Sequence, residues 1–426
     1  PSADGTKARN LKREQAAFRN AAKKAGLKYS ERYAFDTLFN GFSVTINPKD
    51  LGKLNRIPGV NAIYPVVPMS LPEPLESIPD LMTAIELTGA DIVQSDLGYD
   101  GSGIKVAIMD SGIDYHHPDL GGCFGSGCRV ASGFDLVGDD FDGSNVPVPD
   151  EDPDDCDGHG THVAGIVGAD GAVTGVAPGV TFGAYRVFGC TGSTTADIMI
   201  KAMEMALADG MHVLNMSIGS AFWSWPQYPT AAAATRLVNK GVTVVASIGN
   251  SGASGTFAAG APGVGKKVIG VASVLNTQTV MPAFEVDDSL IVYDQMEFSG
   301  PIPTSGTEEF VYIGTACDGD TLEADPTGKA ALIARGACSF NEKATNAINS
   351  GATSVIVHNS SPGIFYGTLG SPIDGTTPVV SISLENGELM KTAVTPELTW
   401  TDQLVPEADP NGGLISPSSS YGLAAD

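Results

Sequence analysis

Three polar residues, far apart in the chain, have the chemistry of a proton relay: Asp110, His159 and Asn250. His159 stands between two glycines in the stretch Asp157-Gly158-His159-Gly160-Thr161-His162-Val163-Ala164-Gly165. Glycines on either side of a histidine let backbone approach the ring closely. The small residues from 161 to 171 allow a tightly packed helix with His159 in its first turn. Imidazole is the side chain best suited to take and return a proton near neutral pH. Asp110 can accept the ring N–H, which sets the tautomer and stabilises the imidazolium. Asn250, in Ala246-Ser247-Ile248-Gly249-Asn250-Ser251-Gly252, can aim an amide N–H at a developing oxyanion.

Such a constellation needs a rigid frame. From about residue 100 the pattern alternates between strand and helix. Residues 103–109 read as a strand that delivers Asp110-Ser111-Gly112 at its C-terminal end. Residues 181–188, 213–218 and 242–248 read as further strands, and 193–209 and 230–240 as helices ended by Gly210 and Gly241. This alternation implies an α/β fold, a parallel sheet covered on both faces. Ligands bind at the strand ends of such sheets, where the three polar residues fall.

The flanks differ. Residues 9–25 predict a basic amphipathic helix, 33–39, 41–46 and 62–67 predict strands, and Asn47-Pro48 predicts a helix start. Together they form a small α+β unit, followed by a Pro-rich linker over 68–79. Past residue 285 the pattern turns β-rich, with one strand–helix–strand piece over 330–334, 341–349 and 354–358. After Thr401 the chain reads as loop.

The 426 residues suffice for two or three domains. The net charge of −25 and pI near 4.4 disfavour nucleic acid as a partner, and the absence of a long apolar run disfavours a membrane span. Residues 1–35 hold nine Lys/Arg against three Asp/Glu, so a basic head precedes an acidic body that it can dock on. Six cysteines fit an oxidising compartment. Of fifteen connectivities, pairing in chain order is preferred: Cys123–Cys128, Cys156–Cys190 and Cys317–Cys338. Two sequons occur: Asn215 lies in an apolar run, expected buried, and Asn359 in an expected loop able to carry glycan. No signal peptide is visible and the chain begins Pro-Ser-Ala, so a processed or cut N-terminus is expected.

Asp110-Ser111-Gly112-Ile113-Asp114, Gly158-His159-Gly160-Thr161-His162-Val163-Ala164-Gly165 and Gly249-Asn250 resemble, in order and context, the subtilisin-like serine proteases. The acidic composition, the Cys123–Cys128 loop and the segment after residue 285 resemble the large secreted fungal members. The resemblance implies Asp110 and His159 as catalytic residues and Asn250 as the oxyanion donor. It implies Ser217, Ile218 and Gly219 as the strand that pairs with extended substrate. Residues 1–68 resemble an inhibitory propeptide domain lacking its first strand, with 69–99 as linker and entry. The catalytic domain would occupy 100–285, an inserted protease-associated domain 286–400, and 401–426 would begin the return. Protein or peptide substrates, an intramolecular propeptide inhibitor cut within about 68–85 and an extracellular location follow. No cofactor is required by this chemistry. The family's nucleophile sits in a Gly-Thr-Ser-Met/Ala block, which is absent here. Ser418, Ser419 and Ser420 lack that context, so the expectation is a chain cut short of its serine and inactive as it stands. A non-catalytic relative acting by binding or inhibition is the alternative.

Other polar clusters have plainer readings. His162, one turn along from His159, does not complete a zinc spacing and is expected to pack beside it. His116 and His117 read as surface or cleft-edge residues. The acidic loop over 139–155 can bind calcium, but its spacing is not that of an EF-hand, and a solvated face that meets the basic head is preferred. Phe222-Trp223-Ser224-Trp225-Pro226 reads equally as pocket wall or packed loop.

Overall fold

In a computed structural model, which describes residues 5–71, 81–336 and 338–425, the chain opens with helix α1 (Gly5–Lys24). Good helix formers dominate it, and Leu11, Gln15 and Ala22 are buried on one side. That face covers an antiparallel hairpin, β1 (Tyr29–Phe35) and β2 (Gly41–Ile46), with Phe18 stacked on Phe42. Short α2 (Leu51–Leu54) follows, and then β3 (Pro68–Ser70). The hairpin starts four residues earlier than the sequence suggests. The N–H groups of Thr37 and Leu38 donate to Glu204 Oε1, so they are withdrawn from any strand ladder. The expected strand over 62–67 is irregular backbone, because Pro65 in its middle has no N–H to give a ladder.

Helices α3 (Leu81–Thr88) and α4 (Ala90–Ser95) lead into a six-stranded parallel sheet. Its members are β4 (Lys105–Asp110), β5 (Val130–Asp135), β6 (Thr181–Arg186), β8 (Val213–Met216), β9 (Thr243–Ser247) and β10 (Ile269–Val271), in the order β10-β9-β8-β4-β6-β5. Between them lie α5 (His159–Gly168), the edge strand β7 (Ser193–Thr195), α6 (Ala196–Ala208) and α7 (Pro229–Val238). Alternate residues of β4 point to opposite faces. Val106 and Ile108 pack with Val163 and Ala164 of α5, while Ala107 and Met109 pack with the core under α6 and α7. The mixed α/β reading of this region therefore holds.

The N-terminal elements join the second of those cores. Phe35, Leu38 and Met69 are buried in it. Arg32 pairs with Asp197 of α6 at 3.4 Å, and Arg236 of α7 donates to the Leu38 carbonyl. Among the described residues, the acidic residue of the body that pairs with the basic head is thus Asp197, rather than one in the loop over 139–155.

Thr277–Pro410 forms a second compact unit. Its eight strands are β11 (Gln278–Val286), β12 (Ser289–Val292), β13 (Asp294–Gln295), β14 (Thr307–Tyr312), β15 (Ala330–Ala334), β16 (Ser354–His358), β17 (Val379–Ile382) and β18 (Glu397–Ala408). Helices α8 (Phe340–Asn349) and α9 (Leu384–Lys391) cover opposite faces, with Ile333 and Val357 under α8 and Leu332 and Ile356 under α9. The unit is wider than residues 286–400 for one reason. β11 and β18 pair with each other across more than a hundred residues, so 402–408 is strand where the local pattern reads as loop.

All three disulfides pair in chain order. Asn359 departs from expectation: it is buried, donates to the Gly363 carbonyl, and accepts from Arg335 and Ser360. Asn215 is half-buried and donates to Ser217 Oγ. Among the described residues no helix is long and apolar enough to cross a membrane.

Leu38 is fully buried at the junction of the N-terminal elements with α6 and α7. Leu38→Ala is expected to destabilise the chain by about 2–5 kcal/mol. Urea unfolding checks this; a loss within ~0.5 kcal/mol would show that the N-terminal elements are not part of the core.

Candidate active site

The register of the parallel sheet sets one chemical edge. Ile108 of β4 stands opposite Asn215 of β8, which stands opposite Val245 of β9. Two residues further along, Asp110, Ser217 and Ser247 therefore share the C-terminal edge, with Asn250 three residues beyond. His159 reaches the same edge at the start of α5.

Close backbone approach puts it there. A Cβ on Gly160 would lie 2.1 Å from the Gly112 carbonyl oxygen and 3.1 Å from the Asp110 Cβ. Only glycine lets the first turn of α5 rest on Asp110-Ser111-Gly112. The Gly160 N–H donates to Ser111 Oγ, and the Asp114 N–H to Thr161 Oγ1. Asp155 caps the helix: Oδ1 accepts from the N–H groups of Asp157 and Gly158, and Oδ2 from Thr161 N–H and hydroxyl.

The outcome is a hydrogen bond of 2.6 Å between His159 Nδ1 and Asp110 Oδ1. The carboxylate is fully buried, while the histidine side chain stays 20% exposed. Burial disfavours the charged ring, but the hydrogen bond and the charge of Asp110 outweigh it, so the His159 pKa stands above its ordinary 6.5. Burial pushes Asp110 upward, against the pull of His159 and the Ser111 N–H. With Nδ1–H given to Asp110, Nε2 keeps a lone pair. The pair is built to accept a proton at Nε2 and hold the resulting cation.

The Subtilase family model matches residues 101–425, about three quarters of the chain. The chain belongs to the subtilase family. It is 32% identical to the minor extracellular protease Vpr of Bacillus subtilis (strain 168) over 98% of this chain and 52% of that protein. It is 31% identical to subtilisin E of the same organism, over 62% of this chain and 64% of that one. The chain thus spans about half the length of Vpr. Among solved structures, the subtilisin-like protease Apa1 of Pseudoalteromonas sp. AS-11 aligns with a TM-score of 0.48. That alignment has 19% identity and covers 78% of this chain and 83% of the other.

In this subtilase Asn250 is exposed and follows Gly249, whose φ is 107°. Ser217 and Gly219 are half-buried, whereas the Ile218 side chain is buried in the core, so only its backbone can face a ligand. Ser419 and Ser420 are buried; Ser420 Oγ accepts from the Ser251 N–H and Ser419 Oγ from the Ser273 N–H. Both hydroxyls are occupied as acceptors from the loop that carries Asn250 and the segment beside it. His162 is exposed, as is Ile166 one turn on, while Val163 and Ala164 of α5 are buried. His116 and His117 are exposed, and His117 Nδ1 accepts from the Asp119 N–H. Trp223, Trp225 and Tyr228 pack on one another, and Tyr64 meets Tyr228 edge-on, which favours the packed-loop reading. Among the described residues the acidic loop gathers no convergent group of three carboxylates. Asp142 and Asp150 instead accept from nearby backbone N–H groups.

Two features escaped the sequence. Asp155 is one of several acidic residues in its run, and nothing local marks it as the cap. Residues 193–195 read as the start of a helix but form strand β7, on which β3 lies antiparallel, with Thr194 and Thr195 buried. Met69 stands opposite Thr194 and is buried, and the Leu71 N–H donates to the Gly192 carbonyl.

Because its folded pKa is raised, His159 stabilises the fold fully below its unfolded value, near 6.5. That contribution is lost as pH rises through the folded value. An NMR titration of His159 is expected to have its midpoint above 6.5, and Asp110→Asn to lower it; an unmoved midpoint would remove Asp110 as the cause. Asp155→Ala is expected to cost about 1 kcal/mol through the lost cap, read by thermal unfolding.

Proposed function

We propose that this chain belongs to a secreted serine endopeptidase that hydrolyses peptide bonds through an Asp-His-Ser triad. The 2.6 Å hydrogen bond from His159 to a fully buried Asp110 carries this reading. His159 Nε2 takes the proton of a serine hydroxyl as that oxygen attacks the carbonyl carbon. It then returns the proton to the leaving amine. Asp110 holds the ring and balances the imidazolium. Asn250 donates to the tetrahedral oxyanion, and the backbone of Ser217, Ile218 and Gly219 pairs with extended substrate. The serine lies outside residues 1–426, since no serine within them stands in a Gly-Thr-Ser-Met/Ala block.

Residues 1–68 act as the intramolecular inhibitor, with β3 at its end. The pairing of β3 with the edge at Ser193–Thr195 supports this, because it occupies the backbone groups an extended peptide would use. Maturation cuts within about residues 68–85; of these, 72–80 lie outside the described residues. The unit over 277–410 contains the segment read as a protease-associated domain and serves to position substrates or partners.

The protein together with the product of its downstream reading frame should react at one serine with a fluorophosphonate probe. Residues 1–426 alone should not react. His159→Ala should lower kcat by about 10⁶-fold, the loss measured when subtilisin's own triad histidine is removed. A downstream frame without a reactive serine would overturn the enzyme reading and leave a non-catalytic subtilase relative. Met69→Asp is expected to weaken autoinhibition, read as faster release of activity; unchanged release would detach β3 from that role.

A further inference from the structure

The bridge Cys156–Cys190 joins two segments that the candidate site depends on. Cys156 lies three residues before His159, in the loop that holds Asp155. Cys190 lies just before Gly192 and the edge at Ser193–Thr195. Behind the bridge sits Arg186, only 3% exposed. Its Nη1 is satisfied by Asp139 at 2.8 Å, Asp135 at 3.2 Å and the Asp154 carbonyl, and its Nε by the Phe188 carbonyl. Nη2 is different. Among the described residues its partners are two sulfurs, Cys156 Sγ at 3.0 Å and Cys190 Sγ at 3.7 Å.

Disulfide sulfur is a weak acceptor, so a buried guanidinium N–H directed only at it is poorly repaid. A thiolate in the same place would be a charge-assisted partner. Arginine keeps its charge under any physiological condition. Cys156 is also exposed and Cys190 half-exposed, so a small thiol can reach the bridge. The other bridges lack this combination. Among the described residues no cation bonds to Cys123 or Cys128. Lys343, 3.5 Å from Cys317 Sγ, is pushed down in pKa by burial and also donates to the Thr315 carbonyl.

We propose that Cys156–Cys190 is a thiol-exchange site, prepared by Arg186 to open in the presence of low-molecular-weight thiols. An external thiolate attacks Cys190 Sγ, and the S–S electron pair leaves on Cys156 Sγ, the sulfur nearer the guanidinium. A mixed disulfide remains on Cys190. A second thiolate attacks the external sulfur of that adduct and releases an external disulfide and the Cys190 thiolate. Two thiols thereby supply the two electrons. Opening the bridge unties the Asp155 loop from the segment beneath the Ser193–Thr195 edge, while the His159–Asp110 bond keeps its own supports. Resting on the protease reading, the consequence is a change in peptide and β3 binding at that edge, seen in KM more than in kcat.

The exchange itself is tested without activity. The folded 426-residue chain is equilibrated with graded reduced and oxidised glutathione, trapped by alkylation and mapped by mass spectrometry. Cys156 and Cys190 are expected to open at about tenfold lower reducing ratio than Cys123–Cys128, with the glutathione adduct on Cys190. Arg186→Gln should erase that advantage. Should this buried variant fail to fold, Asp139→Asn provides an independent reading. Asp139 is 73% exposed, and its carboxylate lies within 4.8 Å of both sulfurs and competes for the same guanidinium. Its neutralisation should make the bridge open more easily still. Opening together with Cys123–Cys128, an adduct on Cys156, or a midpoint unmoved by Asp139→Asn would each overturn the proposal. Loss of hydrolysis in the longer protein with normal exchange would count against the protease reading alone.

Discussion

A carboxylate with no access to water must be repaid by its neighbours, and Asp110 imposes that demand on everything around it. Its compensation comes from His159 Nδ1 and the Ser111 N–H. Oδ2 has no protein partner among the described residues. The geometry around it is accordingly tight on every side. Gly112 passes beneath the Pro153 and Asp154 carbonyls, and Gly160 lets a helix rest on the strand end. Removing either glycine would move the imidazole away from the carboxylate and leave a buried charge unpaired, which is far more costly than a lost surface contact.

The same loop carries acidic residues with quite different duties. Asp155 accepts four hydrogen bonds and orders the turn before α5. Asp139 meets the Arg186 guanidinium from solvent, while Asp135, at the end of β5 just before the loop, is buried against it. A run that reads as one solvated acidic face is therefore several separate devices. Arg186 links them, since β6 places it between the acidic loop and the bridge that leads to β7.

What could be read from the sequence was what depends on local pattern. Val106 to Met109 alternate between two helical coverings, and the run from Thr161 to Gly168 is small enough to pack on a strand end; both are visible as residue types. The disulfides too followed chain order. What stayed hidden is set by distant partners. Residues 402–408 become strand only because Gln278 to Pro282 lie beside them. The hairpin ends at Phe35 because Glu204, about 170 residues later, claims the next two free N–H groups. Ser193 to Thr195 look like the first turn of α6 until Pro68 to Ser70 pair with them. The exposure of His162 is not legible from its spacing, because its distance from His159 along the helix says nothing about which neighbours cover that side.

Asn359 carries a lesson about where this chain can mature. Its amide is folded into the turn after β16, bonded to Arg335, Ser360 and Gly363. A cell that attaches oligosaccharide to Asn-Ser-Ser while the polypeptide is still being threaded across a membrane would act before that turn closes. The sugar would then stand where the asparagine must be buried, and the second unit would be caught half-assembled. A host that leaves the sequon bare suits this turn; a eukaryotic secretory host would need Asn359 or Ser361 altered first.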